Sequence, residues 1–337
     1  MDSRTEANER LVGLDILKIL GSLGVIGAHI FQNNNSRLNR ILFCISITWV
    51  IPTFFLINGF LILSKRKLDY GYILRKESKI FFLVFLWNVL ACIWKLYVQK
   101  TYYNPIKGCL QNLFFQDGLF PFFWFMGALM LVYIITPPLF RILESRYWAI
   151  PLVVLASICF LSDIVSLICF REMDIIILRH IPQTFRLWLW LFYFYLGGCI
   201  FHKFPRLTKK RIGLITLLFI TVINVSFQYH IGFRGKVELW PEFFYGNFIT
   251  IVQSVLIFMI MNDCTFYRSK NIFINIGQRT SGVYILHMFF IISIGKIYFF
   301  ENVIVNSVLV VGVFVFSLIG TLVFERIPFI RKLVSFD

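Results

Sequence analysis

Ten apolar runs, each near the roughly 20 residues that a helix needs to cross a bilayer, follow one another along this chain. They are expected at Leu11–Phe31, Ile41–Leu63, Ile80–Tyr97, Phe122–Leu143, Trp148–Cys169, Phe185–Phe201, Ile212–Tyr229, Phe243–Met261, Ser281–Phe299 and Val303–Phe324. A backbone in lipid has no water to bond to, so each run is read as a helix that satisfies its own N–H and C=O groups. Length alone would allow two soluble domains, but only 15% of the 337 residues are charged. A soluble fold carries about a quarter. The expected fold is therefore an all-α polytopic bundle of about ten transmembrane helices, forming one domain over residues 1–337. The first run carries Asp15, Lys18 and His29, which does not suit a cleaved signal peptide.

The charge pattern supports this division. The formal charge is +16, with the basic residues gathered in short segments between apolar runs. The two termini and the even-numbered loops hold roughly twenty-one Lys and Arg against about nine on the other side. Both termini are therefore expected in the cytoplasm of a multi-pass protein of the cytoplasmic (inner) membrane. Clusters of this kind face lipid headgroups, so membrane lipid is an expected partner and nucleic acid is not. The seven cysteines fall mostly within apolar runs and show no metal-ligand spacing, so no disulfide, metal or bound cofactor is expected.

Ionisable residues inside a span cost about 2.5–3.5 kcal/mol each on insertion scales, so the first helix stands out. Asp15 and Lys18 are three residues apart and therefore neighbours. Lys18 and His29 are eleven apart, close to three full turns, with Ser22 between them on nearly the same face. Such a stripe usually faces the bundle interior or a water-filled cavity. The spacing equally suits a structural ion pair with a capping histidine, and it does not choose between the two. At 1.5 Å per residue, Lys18 lies about 10 Å in and His29 about 16 Å further out. Counting the same way puts Asn58, Tyr284 and His287 in the inner half near Lys18. Trp124, Asp163 and Glu242 fall in the outer half. His180, His202 and His230 fall in loops and are expected to be solvated.

Five segments, taken in order, resemble the acyltransferase 3 family of membrane acyltransferases, which includes O-acetyltransferases of bacterial surface polysaccharides. RLVGLDILKILGSLGVIGAH is similar to the family's first helix, with its basic residue and histidine at Lys18 and His29. PTFFLINGFLI resembles a Phe-Phe-x-x-Ser-Gly-Phe segment, with Asn58 where serine is usual. WFMGALMLVYIITPPL resembles a helix led by Trp-Phe and ending in proline, which singles out Trp124. TSGVYILHMF resembles the segment that carries Ser281, Tyr284 and His287, and IPFIRKLV resembles the C-terminal tail. Phe122 stands where the family often has histidine, so chemistry assigned to that histidine does not carry over.

The resemblance implies transfer of an acyl group, commonly acetyl from acetyl-CoA, to a hydroxyl of a surface polysaccharide or its lipid-linked precursor. It implies His29 as catalytic histidine, acting as general base or as acyl carrier, with Lys18 and Asp15 on the same stripe. Any partner that orients His29 must come from another helix. The resemblance places acyl-CoA binding at Arg75, Lys76 and Lys79, where lysines replace some of the family's arginines. It makes Asn58, Trp124, Ser281, Tyr284 and His287 pocket residues. Basic residues at these positions are also expected from orientation alone. A transporter or flippase for a lipid-linked glycan is the alternative, because it too explains a polar stripe inside the membrane.

Overall fold

The computed structural model describes residues 11–32, 36–204, 210–233, 237–263, 270–295, 301–328 and 330–334. Within these it is all-helical, and no strand occurs among the described residues. The helices are α1 (Val12–Phe31), α2 (Arg37–Ile47), α3 (Val50–Leu63), α4 (Tyr70–Trp94), α5 (Pro105–Leu110), α6 (Trp124–Glu144) and α7 (Ala149–Met173). They continue as α8 (Leu187–Lys203), α9 (Lys210–Gly232), α10 (Phe248–Asn262), α11 (Lys270–Gly277), α12 (Thr280–Gly295) and α13 (Val303–Glu325). Cys264 and the expected continuation of the ninth span to Phe299 lie outside the described residues.

Among the described residues seven helical segments are long and apolar enough to cross a membrane: α1, α2 with α3, α4, α6, α7, α9 and α13. The other three expected spans are shorter: α8 has 17 residues, α10 has 15 and α12 has 16. The second span is broken at Thr48–Trp49. Pro52 has no N–H to give the Thr48 carbonyl and its ring crowds that carbonyl, which accounts for the break. In α6 the helix runs on past Pro137 and Pro138 to Glu144 and does not end at them.

α3 and α8 form the tightest pair. A Cβ on Gly59 would stand 1.8 Å from the Phe194 carbonyl oxygen, and one on Gly197 would stand 2.2 Å from that of Leu56. Backbones this close gain packing that lipid cannot replace, which is how small residues hold helices together in a membrane. α7 and α9 lie at the periphery and expose long apolar faces. A buried polar chain ties α9 inward: Thr48 Oγ1 donates to Gln228 Oε1 at 2.8 Å, and Gln228 Nε2 donates to Asn224 Oδ1 at 3.1 Å. Asn224 Nδ2 then donates to Gln253 Oε1 at 2.6 Å. Interhelical bonds such as that from Asn224 to Gln253 average about 0.6 kcal/mol each in lipid.

Contacts join alternate ends of successive helices. At the end where α1 begins, Arg279 pairs with Glu325 at 2.8 Å, joining the start of α12 to the end of α13. At the same end His202 is half-buried in α8, with Nε2 2.7 Å from the Leu63 carbonyl, and is not the solvated loop residue expected from sequence. His230 lies in α9 and is exposed, and His180 is exposed in a 3₁₀ turn. At the opposite end, Asn39 and Asn306 bond at 3.1 Å, and Arg40 meets Glu238 at 2.5 Å.

Two longer segments dock at that opposite end. Residues 100–120 are pinned by Asn88, whose Oδ1 accepts from Tyr103 at 2.6 Å and Asn112 at 2.9 Å. The segment before α8 is pinned by Arg186, which donates to the carbonyls of Leu178, Ile181 and Glu242.

Candidate functional site

A cavity of about 340 Å³ opens between α1, α3, α4, α6 and α12. Each wall element arrives for a local reason. α1 contributes Lys18 and Ser22 from the polar stripe seen in the sequence, together with the apolar Val25 and Ile26. The break at Thr48–Trp49 re-aims α3, which contributes Phe54, Asn58, Leu61 and Lys65. Asp69 caps α4 by accepting from Tyr72 N at 2.7 Å, and one turn on from there Tyr72 and Lys76 join the wall. The α11–α12 turn comes close to α1 because Gly277 has no side chain: a Cβ there would stand 2.5 Å from Cβ of Asp15. That turn and α12 contribute Gln278, Ser281, Tyr284 and His287.

The charge is confined to one end. Lys18, Lys65 and Lys76 stand where α1 begins, α3 ends and α4 begins. Lys18 pairs with the buried Asp15 at 3.4 Å. Lys65 lies over the Tyr72 ring at 4.6 Å and Lys76 over the Tyr133 ring at 5.7 Å. Asn58 is fixed in the wall: it donates to the Phe54 carbonyl at 2.8 Å and accepts from the Tyr133 hydroxyl at 3.0 Å. Walls further in are apolar and aromatic, with Phe54, Phe125, Met126 and Leu129.

At the deep end His287 lines the cavity, and its ring centroid lies 5.6 Å from that of His29. His287 is buried, and neither of its ring nitrogens has a partner in good hydrogen-bond geometry among the described residues. Phe122 packs edge-on against it at 6.0 Å, and the Tyr284 hydroxyl donates to the Phe122 carbonyl. His29 is half-buried and stands one turn of α1 beyond Val25 and Ile26, past the cavity wall.

The sequence-expected residues therefore divide. Lys18, Lys76, Asn58, Ser281, Tyr284 and His287 share the cavity, and Asp15 holds Lys18 from behind. His287 was expected beside Lys18 in depth; its ring instead lies against His29. Arg75 and Lys79 are exposed outside the cavity, with Arg75 Nε donating to the Gly71 carbonyl at 3.1 Å. Trp124 is also outside, with its ring 5.5 Å from Trp190. Lys65 is a wall residue that the sequence motifs do not single out. Its place at the end of an apolar span was the available signal.

The acids expected in the outer half belong to a separate cluster. Asp163 accepts from Asn247 at 2.9 Å, and Glu242 accepts from Gln183 at 2.7 Å. Burial pushes the Glu242 carboxyl above its ordinary range, against the opposing pull of Arg186 and Gln183.

These features define a multi-pass helical membrane protein with an internal cavity, cationic at one end and histidine-lined at the other. The model of the acyltransferase 3 family, an acyltransferase domain, matches residues 11–326, and the chain belongs to that family. No curated protein and no solved structure matches it.

Proposed function

We propose that this protein is a membrane O-acyltransferase that takes an acyl group, in the first instance acetyl, from cytoplasmic acyl-CoA. It passes that group to a hydroxyl of a cell-surface polysaccharide or its lipid-linked precursor. The observation that carries this reading is the cavity itself, with three lysines at its mouth and imidazole at its depth. A polyanionic thioester matches that polarity. Its phosphates meet Lys18, Lys65 and Lys76 as point charges, while its narrow arm enters the apolar barrel and brings the thioester toward the histidines. The charge asymmetry of the loops supports a lysine mouth on the cytoplasmic side of the membrane, where CoA is.

A sugar hydroxyl is a weak nucleophile until its proton is removed. In this reading His29, one turn beyond the cavity wall, acts as general base on the acceptor. A flippase would use the polar stripe but has no need of a lysine mouth leading to buried imidazole.

The test is transfer of label from radiolabelled acetyl-CoA to total cell glycan by the purified protein in lipid. The parent should transfer label and His29→Ala should lose at least about a hundredfold of the rate, the usual scale for a general base. Undiminished transfer by His29→Ala refutes the assignment. An absence of transfer from any acyl-CoA turns the reading toward transport.

A further inference from the structure

The two histidines are not equivalent. His287 lines the cavity, whereas His29 stands one turn beyond it, with the rings 5.6 Å apart. The other polar side chains that α1 and α12 give to the wall are engaged. Ser22 donates to the Lys18 carbonyl, Thr280 to that of Gly277, Ser281 to that of Val334 and Tyr284 to that of Phe122. Lys18 is held by Asp15. His287 differs: it is 1% exposed, and neither ring nitrogen has a partner in good hydrogen-bond geometry among the described residues, although backbone groups of Val283 and Tyr284 on its own helix lie near the ring. A purely structural histidine in a membrane bundle is there to bond between helices. Leaving a buried polar group unbonded is costly, and an unengaged imidazole in a cavity wall is a candidate nucleophile.

We infer that His287 is a second catalytic residue, which receives the acyl group from the donor within the cavity before His29 assists its passage to the acceptor. This rests on the acyltransferase reading above. A ring nitrogen lone pair of His287 adds to the thioester carbonyl carbon and the C–S bond breaks. CoA leaves as the thiol, taking the imidazole N–H proton, and an N-acylimidazole remains. The acceptor hydroxyl oxygen then adds to that carbonyl and the C–N bond breaks. The hydroxyl proton passes through His29 to the departing imidazole nitrogen. Both steps conserve atoms and charge and need no further reactant. The two imidazoles thus divide the work, His287 on the donor side and His29 on the acceptor side, and neither substrate has to cross the partition.

The test is isotope exchange without acceptor. The full-length protein in lipid nanodiscs is incubated with unlabelled acetyl-CoA and labelled CoA, and label entering acetyl-CoA is measured. Acetyl-CoA binding is measured in parallel. The parent should exchange. His287→Gln should lose about a hundredfold or more of the exchange rate under acetyl-CoA concentrations that the binding measurement shows to be saturating, and Gly312→Ala, outside the cavity, should keep exchange within about threefold. His287→Ala, checked for monodispersity, provides the second variant. Exchange that survives in both His287 variants overturns the inference, as does a parent that binds acetyl-CoA without exchanging label. A parent that does not bind acetyl-CoA overturns the acyltransferase reading, and this inference with it.

Discussion

Gly59→Ala is the sharpest test of how the cavity is held. The added Cβ would stand 1.8 Å from the Phe194 carbonyl oxygen and 2.6 Å from its carbon, both backbone atoms of α8. Ordinary contact begins at 3.4 Å, so α3 and α8 must separate by about 1.6 Å at this point. Overpacking costs about 1–3 kcal/mol when a side chain can yield. Here a helix backbone must move, and Gly197 fixes the same pair one turn away against Leu56. At least about 3 kcal/mol is expected. The shift also reaches the site, because α3 carries Phe54, Asn58 and Lys65 into the cavity wall. The assay is the thermal unfolding midpoint in detergent, followed by tryptophan fluorescence, together with acetyl-CoA binding. Gly312→Ala is the control: its Cβ would meet nothing within 4 Å, so it should be neutral or stabilising by up to about 1 kcal/mol through helix propensity. If Gly59→Ala unfolds at the same temperature as Gly312→Ala and binds acetyl-CoA equally well, the close-packing argument is wrong.

Three further outcomes are expected. Lys65→Ala and Lys76→Ala should each raise the KM for acetyl-CoA about two- to fivefold at low salt with little change in kcat, the scale of solvent-exposed ion pairs. Arg75→Ala and Lys79→Ala should raise it less, and the reverse order would place the donor outside this cavity. Arg186→Ala should destabilise by about 3–5 kcal/mol, because it strips three carbonyls of a donor and takes the neighbouring cation from the half-buried Glu242. An unfolding midpoint close to the parent's would show that the segment before α8 is held by other contacts.

Glu242 should make stability pH-dependent. Its carboxyl is raised in the folded state above the ordinary 4.5, so the native protein binds the extra proton. The resulting stability is fully present below 4.5 and is lost as pH rises through the folded value. The unfolding midpoint should therefore be higher near pH 5 than at pH 7, and Glu242→Gln should shrink that difference. An unchanged pH dependence in Glu242→Gln would show that Glu242 does not set it.

Much of the bundle was legible before any coordinate. Apolar runs fix helices because lipid leaves the backbone no other partner, and expected and observed ends agree within a few residues for α1, α6 and α13. The extra turns that start α2 and α4 were missed, since Arg37–Arg40 and Tyr70–Lys79 are too polar to read as span. The Asp15–Lys18 pair and the stripe from Lys18 through Ser22 are also local, because helical geometry alone decides which side chains share a face.

What periodicity cannot supply is the sliding and tilt of one helix against another. Counting depth in straight, parallel helices put His287 beside Lys18, yet the α11–α12 turn against Asp15 and the packing of α12 bring its ring to His29. The same limit separated Lys76 from Arg75 and Lys79, and placed Lys65 at the cavity mouth while Trp124 was left outside it. The sequence alone determined a helical membrane chain and which residues pay to sit in lipid. Only the tertiary structure decided which of them meet, because a contact between helices depends on register and crossing angle, and those are set by packing at sites such as Gly59 and Gly277.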